Sequence, residues 1–296
     1  MKTLTSPNCF IVQEEESLLR LDKLLTARYP QHSRNYFQYL IDTGSVLINN
    51  AKAKKKDLSK RGDQVSVTFA PSPDPGVVPQ NIALEILYED DYIIAINKPR
   101  GMVVHPGAGN PSNTLVNALL YHTKSLPEAS SPLRPGIVHR LDKETSGVII
   151  AAKTEAAHAK LTHLFKSRNM EKQYLAICEN TPKEGIISLP IGRHPVKRKE
   201  MTIREDGKEA ITDVVVLDKN EKRSLVLLKP KTGRTHQLRV HLKALKAPIV
   251  GDIVYGNKSK SSPAMLLHAY KLNFIHPFFG TPVRLEAPIP KEFFFS

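Results

Sequence analysis

Pro71, Pro73, Pro75 and Pro79 fall within nine residues, with Gly76 among them. Each proline lacks the N–H that a helix interior or central strand must donate, and each fixes its own φ. No regular element crosses such a stretch, so the chain is expected to fold as two pieces on an extended connector. The expected boundaries are residues 1–75, a Pro-rich linker at 76–82, and residues 83–296. A chain of 296 residues with 41% hydrophobic side chains can supply two cores.

The first piece reads as a small α/β module. Ser17 is placed to cap a helix carrying Leu18, Leu21, Leu24 and Leu25 at helical spacing, and Pro30 ends it. A second helix is predicted to start at Ser33, bury Tyr36, Phe37, Leu40 and Ile41, and stop at Gly44. Val46-Leu-Ile48 reads as a strand, Asn49-Asn50 as a turn, and Val65, Val67 and Phe69 as an alternating strand. Lys52, Lys54, Lys55 and Lys56 lie between these strands. Such a run is a solvated loop or, beside Arg28, His32 and Arg34, a track for a phosphate backbone.

In the second piece, Leu84–Tyr88 and Tyr92–Ile96 read as paired strands, and Thr114–His122 as a short helix. Val148-Ile-Ile-Ala-Ala152 is a buried strand, Glu155–Lys166 a helix, and Lys172–Cys178 a strand. Two more strands, Ala210–Leu217 and Ser224–Leu228, precede a helix over Thr235–Leu245. Strands and helices interleave without a regular βαβ period. The expected class is therefore α+β, a mixed and mainly antiparallel sheet preceded by the small α/β module.

Just ahead of the buried strand stands Gly136-Ile-Val-His-Arg-Leu-Asp-Lys-Glu-Thr-Ser-Gly147. Asp142 lies among His139, Arg140, Lys143, Thr145 and Ser146, on a segment bracketed by two glycines. A loop carboxylate beside a rigid strand is a common place for chemistry. An adjacent Arg lowers a carboxylate's pKa and keeps it ionised, ready to act as nucleophile or base. Arg239, within Gly233-Arg-Thr-His-Gln-Leu-Arg-Val-His241, is the candidate partner. From the residues alone, such a pair is more often a structural salt bridge.

Other chemistries lack their residues. His236 and His241 are five apart, as are His158 and His163, which does not put either pair on one helix face for a metal. There is no Cys-x-x-Cys, no Gly-x-Ser-x-Gly and no phosphate-binding Gly-Lys-Ser/Thr. Cys9 and Cys178 are too few for a disulfide framework, which fits a reducing, cytoplasmic setting. No apolar run approaches the ~18 residues that span a bilayer, and Met1–Phe10 does not read as a signal peptide. The formal charge of +14 points to a polyanionic partner, nucleic acid first. Residues 1–75 carry 11 Lys/Arg against 8 Asp/Glu and residues 76–296 carry 32 against 21, so most of the excess lies in the second piece.

Two resemblances join these observations. Arg20-Leu-Asp-Lys-Leu-Leu25, Ser33-Arg34, Gly44, Val46-Leu-Ile-Asn49 and Gly62-Asp63 resemble the S4 RNA-binding module over about residues 17–70. His139–Gly147 resembles the central motif of the RluA-type pseudouridine synthases. Asn97-Lys-Pro99, His105-Pro106, Lys172-Gln-Tyr174, Gly233–His241, Gly251-Asp252 and Tyr255-Gly256 are similar to the family's other signatures, in its order. The S4-bearing members resemble this chain most, the RluD branch in particular.

The resemblance implies an isomerase that converts uridine to pseudouridine in RNA without cofactor, metal or second substrate. By its terms Asp142 is the catalytic aspartate, by covalent attack or by removal of a ribose proton. Tyr174 stacks on the target base and is a candidate proton acceptor or relay, although the residues alone read it as an ordinary strand tyrosine. Arg239 orients Asp142, and Arg140 fills the gap left by the flipped base. His139, Arg193, Lys197, Arg198 and Lys199 are expected to contact RNA, as are Arg34, Lys54, Lys55 and Lys56 of the first piece. Large-subunit ribosomal RNA is the implied substrate and transfer RNA the alternative, with a ribosome-associated, non-catalytic RNA-binding protein as the reading outside enzymes. A cytoplasmic monomer is expected.

Overall fold

The computed structural model describes residues 7–32, 34–70, 77–107, 109–124, 126–127, 133–256 and 264–294. Ser33 as a helix start, Pro71, Pro73 and Pro75 of the connector, and Met1–Ser6 of the leader reading lie outside the described residues. The chain divides into two compact units, Met1–Gly76 and Val77–Ser296.

The first unit comprises β1 (Asn8–Ile11), α1 (Leu21–Arg28), α2 (Arg34–Asp42), β2 (Val46–Ile48), β3 (Ala51–Lys52) and β4 (Gln64–Val67). Its strands form an antiparallel sheet in the order β1-β4-β2-β3. Leu21, Leu24, Leu25, Phe37, Leu40 and Ile41 pack with Val46, Val65 and Val67 as its core. Asn49 and Asn50 take φ of 49° and 65°, the left-handed pair that a two-residue hairpin between β2 and β3 requires. Gly44, at φ +75°, lets the Ser45 N–H reach back to the Leu40 carbonyl at 2.8 Å and close α2.

One helix start differs from expectation. The predicted helix from Ser17 begins only at Leu21, and Leu18 sits at φ 61° with 73% of its surface exposed. The backbone there has other partners, because Leu18 N–H donates to the Ser59 carbonyl and Ser59 N–H to that of Leu19. Pairing with a segment 40 residues away outweighs a local cap. Phe69 also leaves the predicted strand, its ring lying 5.2 Å from that of Tyr29.

The second unit runs β5 (Ile86–Glu89), β6 (Ile93–Lys98), α3 (Leu115–Thr123), β7 (Ser146–Ala152), α4 (Glu155–Lys166) and β8 (Glu171–Cys178). It continues with β9 (Gly185–Ser188), β10 (Ile191–Arg193), β11 (Met201–Ile203), β12 (Ile211–Lys219) and β13 (Ser224–Pro230). It ends with α5 (Gln237–Ala244), β14 (Leu267–Ile275) and β15 (Pro282–Glu286). Among the described residues, nine strands form one sheet in the order β5-β6-β7-β14-β8-β13-β12-β9, with β15 also paired to β14. All its pairings are antiparallel except that of β7 with β14, so the class is α+β with a mixed, mainly antiparallel sheet.

Every residue of β7 is buried. Ile150 and Val148 face α4 through Ala157 and Leu161, and Ile149 and Ala151 face α3 through Leu115 and Leu119. A strand covered on both faces needs the unbroken apolar run seen in the sequence. Burying Ile149 and Ile150 contributes about 1.5–3 kcal/mol each. Residues 77–82, expected as linker, lie against α3: Asn117 Nδ2 donates to the Val78 carbonyl at 2.7 Å and Gln80 N–H to that of Asn117 at 2.9 Å. β14, in the middle of the sheet, was not assigned from the sequence. It carries the parallel pairing that aligns β7 with β8.

Candidate active site

Two glycines set the path of the Asp142 segment. Gly136 (φ +70°) lies against β7, where a Cβ would run into the Ala152 carbonyl, and its own carbonyl accepts from Ala152 N–H at 2.8 Å. At Gly147 (φ +105°) a Cβ would meet the Ala269 backbone of β14. Only glycine allows both approaches. Between them the segment is pinned. Leu141 is buried beside α3, Thr145 N–H donates to the Asp142 carbonyl at 3.1 Å, and Gly101 N–H to that of Lys143 at 2.9 Å. The fully buried Lys98 ammonium donates to the carbonyls of Pro99 (2.8 Å), Met102 (3.0 Å) and Lys143 (3.3 Å). Burial pushes its pKa down to about 8, against the pull of Glu144 and Asp142.

His139 is held by its own strand neighbour. Its Nε2 accepts from Ile150 N–H at 3.0 Å, and its ring stacks on Phe165 at 4.4 Å. Burial, aided by the Lys172 charge, drives its pKa down to about 3. A neutral ring whose acceptor is engaged by β7 offers RNA no charge, and these contacts fasten the motif to the strand. Arg140, next in sequence, is exposed and lines the cleft.

Arg239, from α5, meets two carboxylates. Its Nε and Nη2 donate to Asp252 Oδ2 and Oδ1 at 2.7 and 2.9 Å, and its Nη1 donates to Asp142 Oδ2 at 3.0 Å. Asp252 Oδ1 also accepts the N–H groups of Val254 (2.9 Å) and Tyr255 (3.0 Å). Burial works against charge on Arg239, but hydrogen bonds and charge from Asp252, then Asp142, outweigh it and raise its pKa. Burial would likewise raise Asp252, and Arg239 reverses this. The two stay ionised as a locked, bidentate pair. Among the described residues Asp142 receives a single guanidinium contact, and 19% of its side chain remains exposed.

Tyr174 projects from β8 into the same cleft, half-buried. Burial, with the nearby Asp142 charge, raises its phenol above the usual range. Such a phenol keeps its proton, which suits a stacking face better than a base. The cleft encloses about 540 Å³ between the Asp142 segment, Phe165, β8 and the residues leading into α5. This is the size of pockets that take small ligands.

Asp142, Tyr174, Arg239, Arg140 and His139 thus meet in one place. The remaining candidates lie elsewhere. Arg193, Lys197, Arg198 and Lys199 occupy the β10–β11 hairpin, where Arg193 Nη1 donates to the Arg198 carbonyl at 2.8 Å and Lys197 approaches Glu200 at 3.4 Å. That hairpin is anchored near α5, since Met201 N–H donates to Tyr255 Oη at 2.7 Å. In the first unit Arg34 is committed to Asp22 at 2.7 Å, and Lys55 pairs with Asp42. Lys54, Lys55 and Lys56 line a depression beside Gly44.

Sequence reasoning gave no role to Asp252, Lys98, Tyr255 or His236. Beyond its place in the Gly251-Asp252 signature, Asp252 carried no spacing signal toward Arg239, standing thirteen residues away past the helix end. His236 had one, since its spacing of three from Arg239 on a predicted helix puts both on one face. The observed α5 starts at Gln237, with His236 as a left-handed N-cap.

Residues 92–244 match the family described as RNA pseudouridylate synthase. Over 96% of its length the chain is 44% identical to an uncharacterised RNA pseudouridine synthase of Aquifex aeolicus, covering 94% of that protein. It is 38% identical to the ribosomal large subunit pseudouridine synthase D of Xanthomonas campestris, over 95% of this chain and 89% of that one. Among solved structures, human RNA pseudouridylate synthase domain containing 1 is similar at 32% identity and a TM-score of 0.58, over 71% of this chain and 84% of that one.

Proposed function

Since this chain belongs to the RNA pseudouridylate synthase family and is an RNA pseudouridine synthase, we propose that its substrate is large-subunit ribosomal RNA, of the 23S type. The relatives named ribosomal large subunit pseudouridine synthase D support this choice, because their likeness spans nearly the whole chain and includes the first unit.

The observation that carries the chemistry is the unequal treatment of two carboxylates by Arg239. Asp252 is saturated and serves as the anchor, while Asp142 is oriented by one contact and keeps its second oxygen for substrate. Asp142 acts at the ribose of the target, by attack on C1′ or by removal of the C2′ proton, and the C1′–N1 bond breaks with its electron pair on the base. The uracil turns and rejoins through C5. Extruding the nucleotide costs a few kcal/mol. Stacking on Tyr174 returns about 1–3 kcal/mol of that, and Arg140 at the cleft mouth takes the vacated place in the helix.

Affinity comes from phosphate contacts that carry no sequence choice. Arg193, Lys197, Arg198 and Lys199 supply them beside the site. Residues 1–75 act as an S4-like RNA-binding domain through Arg34, Lys54, Lys55 and Lys56, ahead of the catalytic domain of residues 83–296. The reaction is an isomerisation and calls for no redox group. The enzyme works as a cytoplasmic monomer. Pseudouridine mapping of total RNA from cells with and without this protein tests the substrate. Loss of signal confined to large-subunit ribosomal RNA is expected, and loss confined to transfer RNA overturns the assignment.

A further inference from the structure

His236 is held at φ 56°, ψ 19°, a left-handed conformation that is strained for a residue with a Cβ. Strain of this kind persists where the surroundings over-determine it. What it achieves is a ring suspended between two oxygens: Nδ1 lies 2.7 Å from Tyr255 Oη, and Nε2 lies 3.9 Å from Asp142 Oδ2.

The groups around the ring favour one tautomer. Tyr255 Oη already accepts the Met201 N–H at 2.7 Å. Burial raises the Tyr255 pKa, so the phenol keeps its proton and has one hydrogen to give. The tautomer that lets this hydrogen reach His236 Nδ1, 2.7 Å away, carries the ring hydrogen on Nε2. Burial lowers the His236 pKa; Asp142 and Asp252 pull it up, Arg239 and Arg140 push it down, and the net is below the ordinary value. In that tautomer the residue is a neutral imidazole whose Nε2–H lines the cleft beside Asp142. Neutrality has a use, since an imidazolium at that distance would pair with the carboxylate and hold it from substrate.

We propose that His236 is a catalytic residue whose Nε2–H donates a hydrogen bond to the uracil carbonyl flanking the ring atom that faces C1′. This rests on the uridine-to-pseudouridine reading of the same site. Uracil is nearly symmetric about the line through N3 and C6, which exchanges N1 with C5 and O2 with O4. A single fixed donor therefore serves O2 while the base is joined through N1, and O4 once it has turned to offer C5. When the C1′–N1 bond breaks, the electron pair stays with the base and spreads onto these oxygens, where a preplaced donor acts most strongly. No proton leaves Nε2. The hydrogen lost from C5 after rejoining is balanced by the one that N1 gains, so the product remains an isomer.

The test uses full-length enzyme and an RNA carrying uridine, 2-thiouridine or 4-thiouridine at the mapped target, with single-turnover rates at saturating enzyme. A thiocarbonyl is a poorer hydrogen-bond acceptor. His236→Ala is expected to slow the uridine reaction roughly 10- to 100-fold, with RNA affinity within about twofold, and His236→Gln, which keeps an N–H, to recover part of the rate. Each thio substitution is expected to slow the wild type but to slow His236→Ala no further. A wild-type rate in His236→Ala, or equal thio effects in wild type and variant, overturns the proposal. Should the alanine variant fail to fold, the thio response of His236→Gln decides in its place. A wild-type enzyme that makes no pseudouridine in the unmodified RNA counts instead against the substrate reading.

Discussion

Each unit holds an aspartate gripped by arginine, and the two are finished differently. Asp22, in the first unit, has a side chain 0% exposed and accepts from Arg20 (3.2 Å), Arg34 (2.8 Å) and Gln38 (2.7 Å). Burial would raise its pKa, but those three donors hold it down to about 2. Asp142, in the second unit, has one such donor among the described residues, Arg239, and faces a cleft. The saturated counterpart of Asp22 in the second unit is Asp252, whose side chain is 1% exposed. A carboxylate with every lone pair engaged can hold structure, while one left partly unengaged on a rigid loop is available to react. Charge and motif are alike in the two cases; the donor count separates them.

The largest effect is expected at Asp142. Asp142→Asn should reduce pseudouridine formation at least about 1,000-fold while leaving RNA affinity and melting temperature nearly unchanged; an active variant breaks the comparison at its centre. Asp252→Asn should do both kinds of harm. Removing one partner of a buried pair costs about 3–5 kcal/mol, read as a lowered melting temperature, and a displaced Arg239 should slow turnover roughly 10- to 100-fold.

Asp22→Asn should destabilise the first unit by about 1–3 kcal/mol, discounted because Arg20 and Arg34 are themselves 44% and 43% exposed. Its catalytic rate at saturating RNA should not change. The folded pKa of Asp22 lies below the unfolded value of about 3.9, so its contribution is present above that value. It is lost as pH falls toward about 2. Acid titration of the first unit's melting should show this loss in wild type and not in Asp22→Asn. Replacing Lys54, Lys55 and Lys56 by Ala should weaken RNA binding and shrink its salt dependence by up to about three counterions, with single-turnover chemistry intact. Tyr174→Phe should have the smallest effect, within about fivefold, because stacking survives and the phenol was not giving up its proton. A large loss there would restore Tyr174 as a proton relay.

The elements legible in the sequence were those with strong local signals. The apolar run at Val148–Ala152 and the helix Glu155–Lys166 announce themselves, because full burial and a 3.6-residue period leave marks in consecutive residues. Asn49-Asn50 was legible as a turn for the same reason. Leu18 and β14 were not. Leu18 obeys a backbone partner at Ser59, and β14 acquires its central position from neighbours far away in the chain.

By itself, then, the sequence determined the two-part division, the α+β class, the family and Asp142 as the residue to watch. All of these reside in composition, spacing or contiguous motif. Only the tertiary structure decided that Arg239 is shared with Asp252, that His139 spends its acceptor on Ile150, and that the His236 ring stands between Tyr255 and Asp142. The physical reason is that donor and acceptor satisfaction is counted in space. A residue's availability for chemistry depends on partners that the linear order keeps apart.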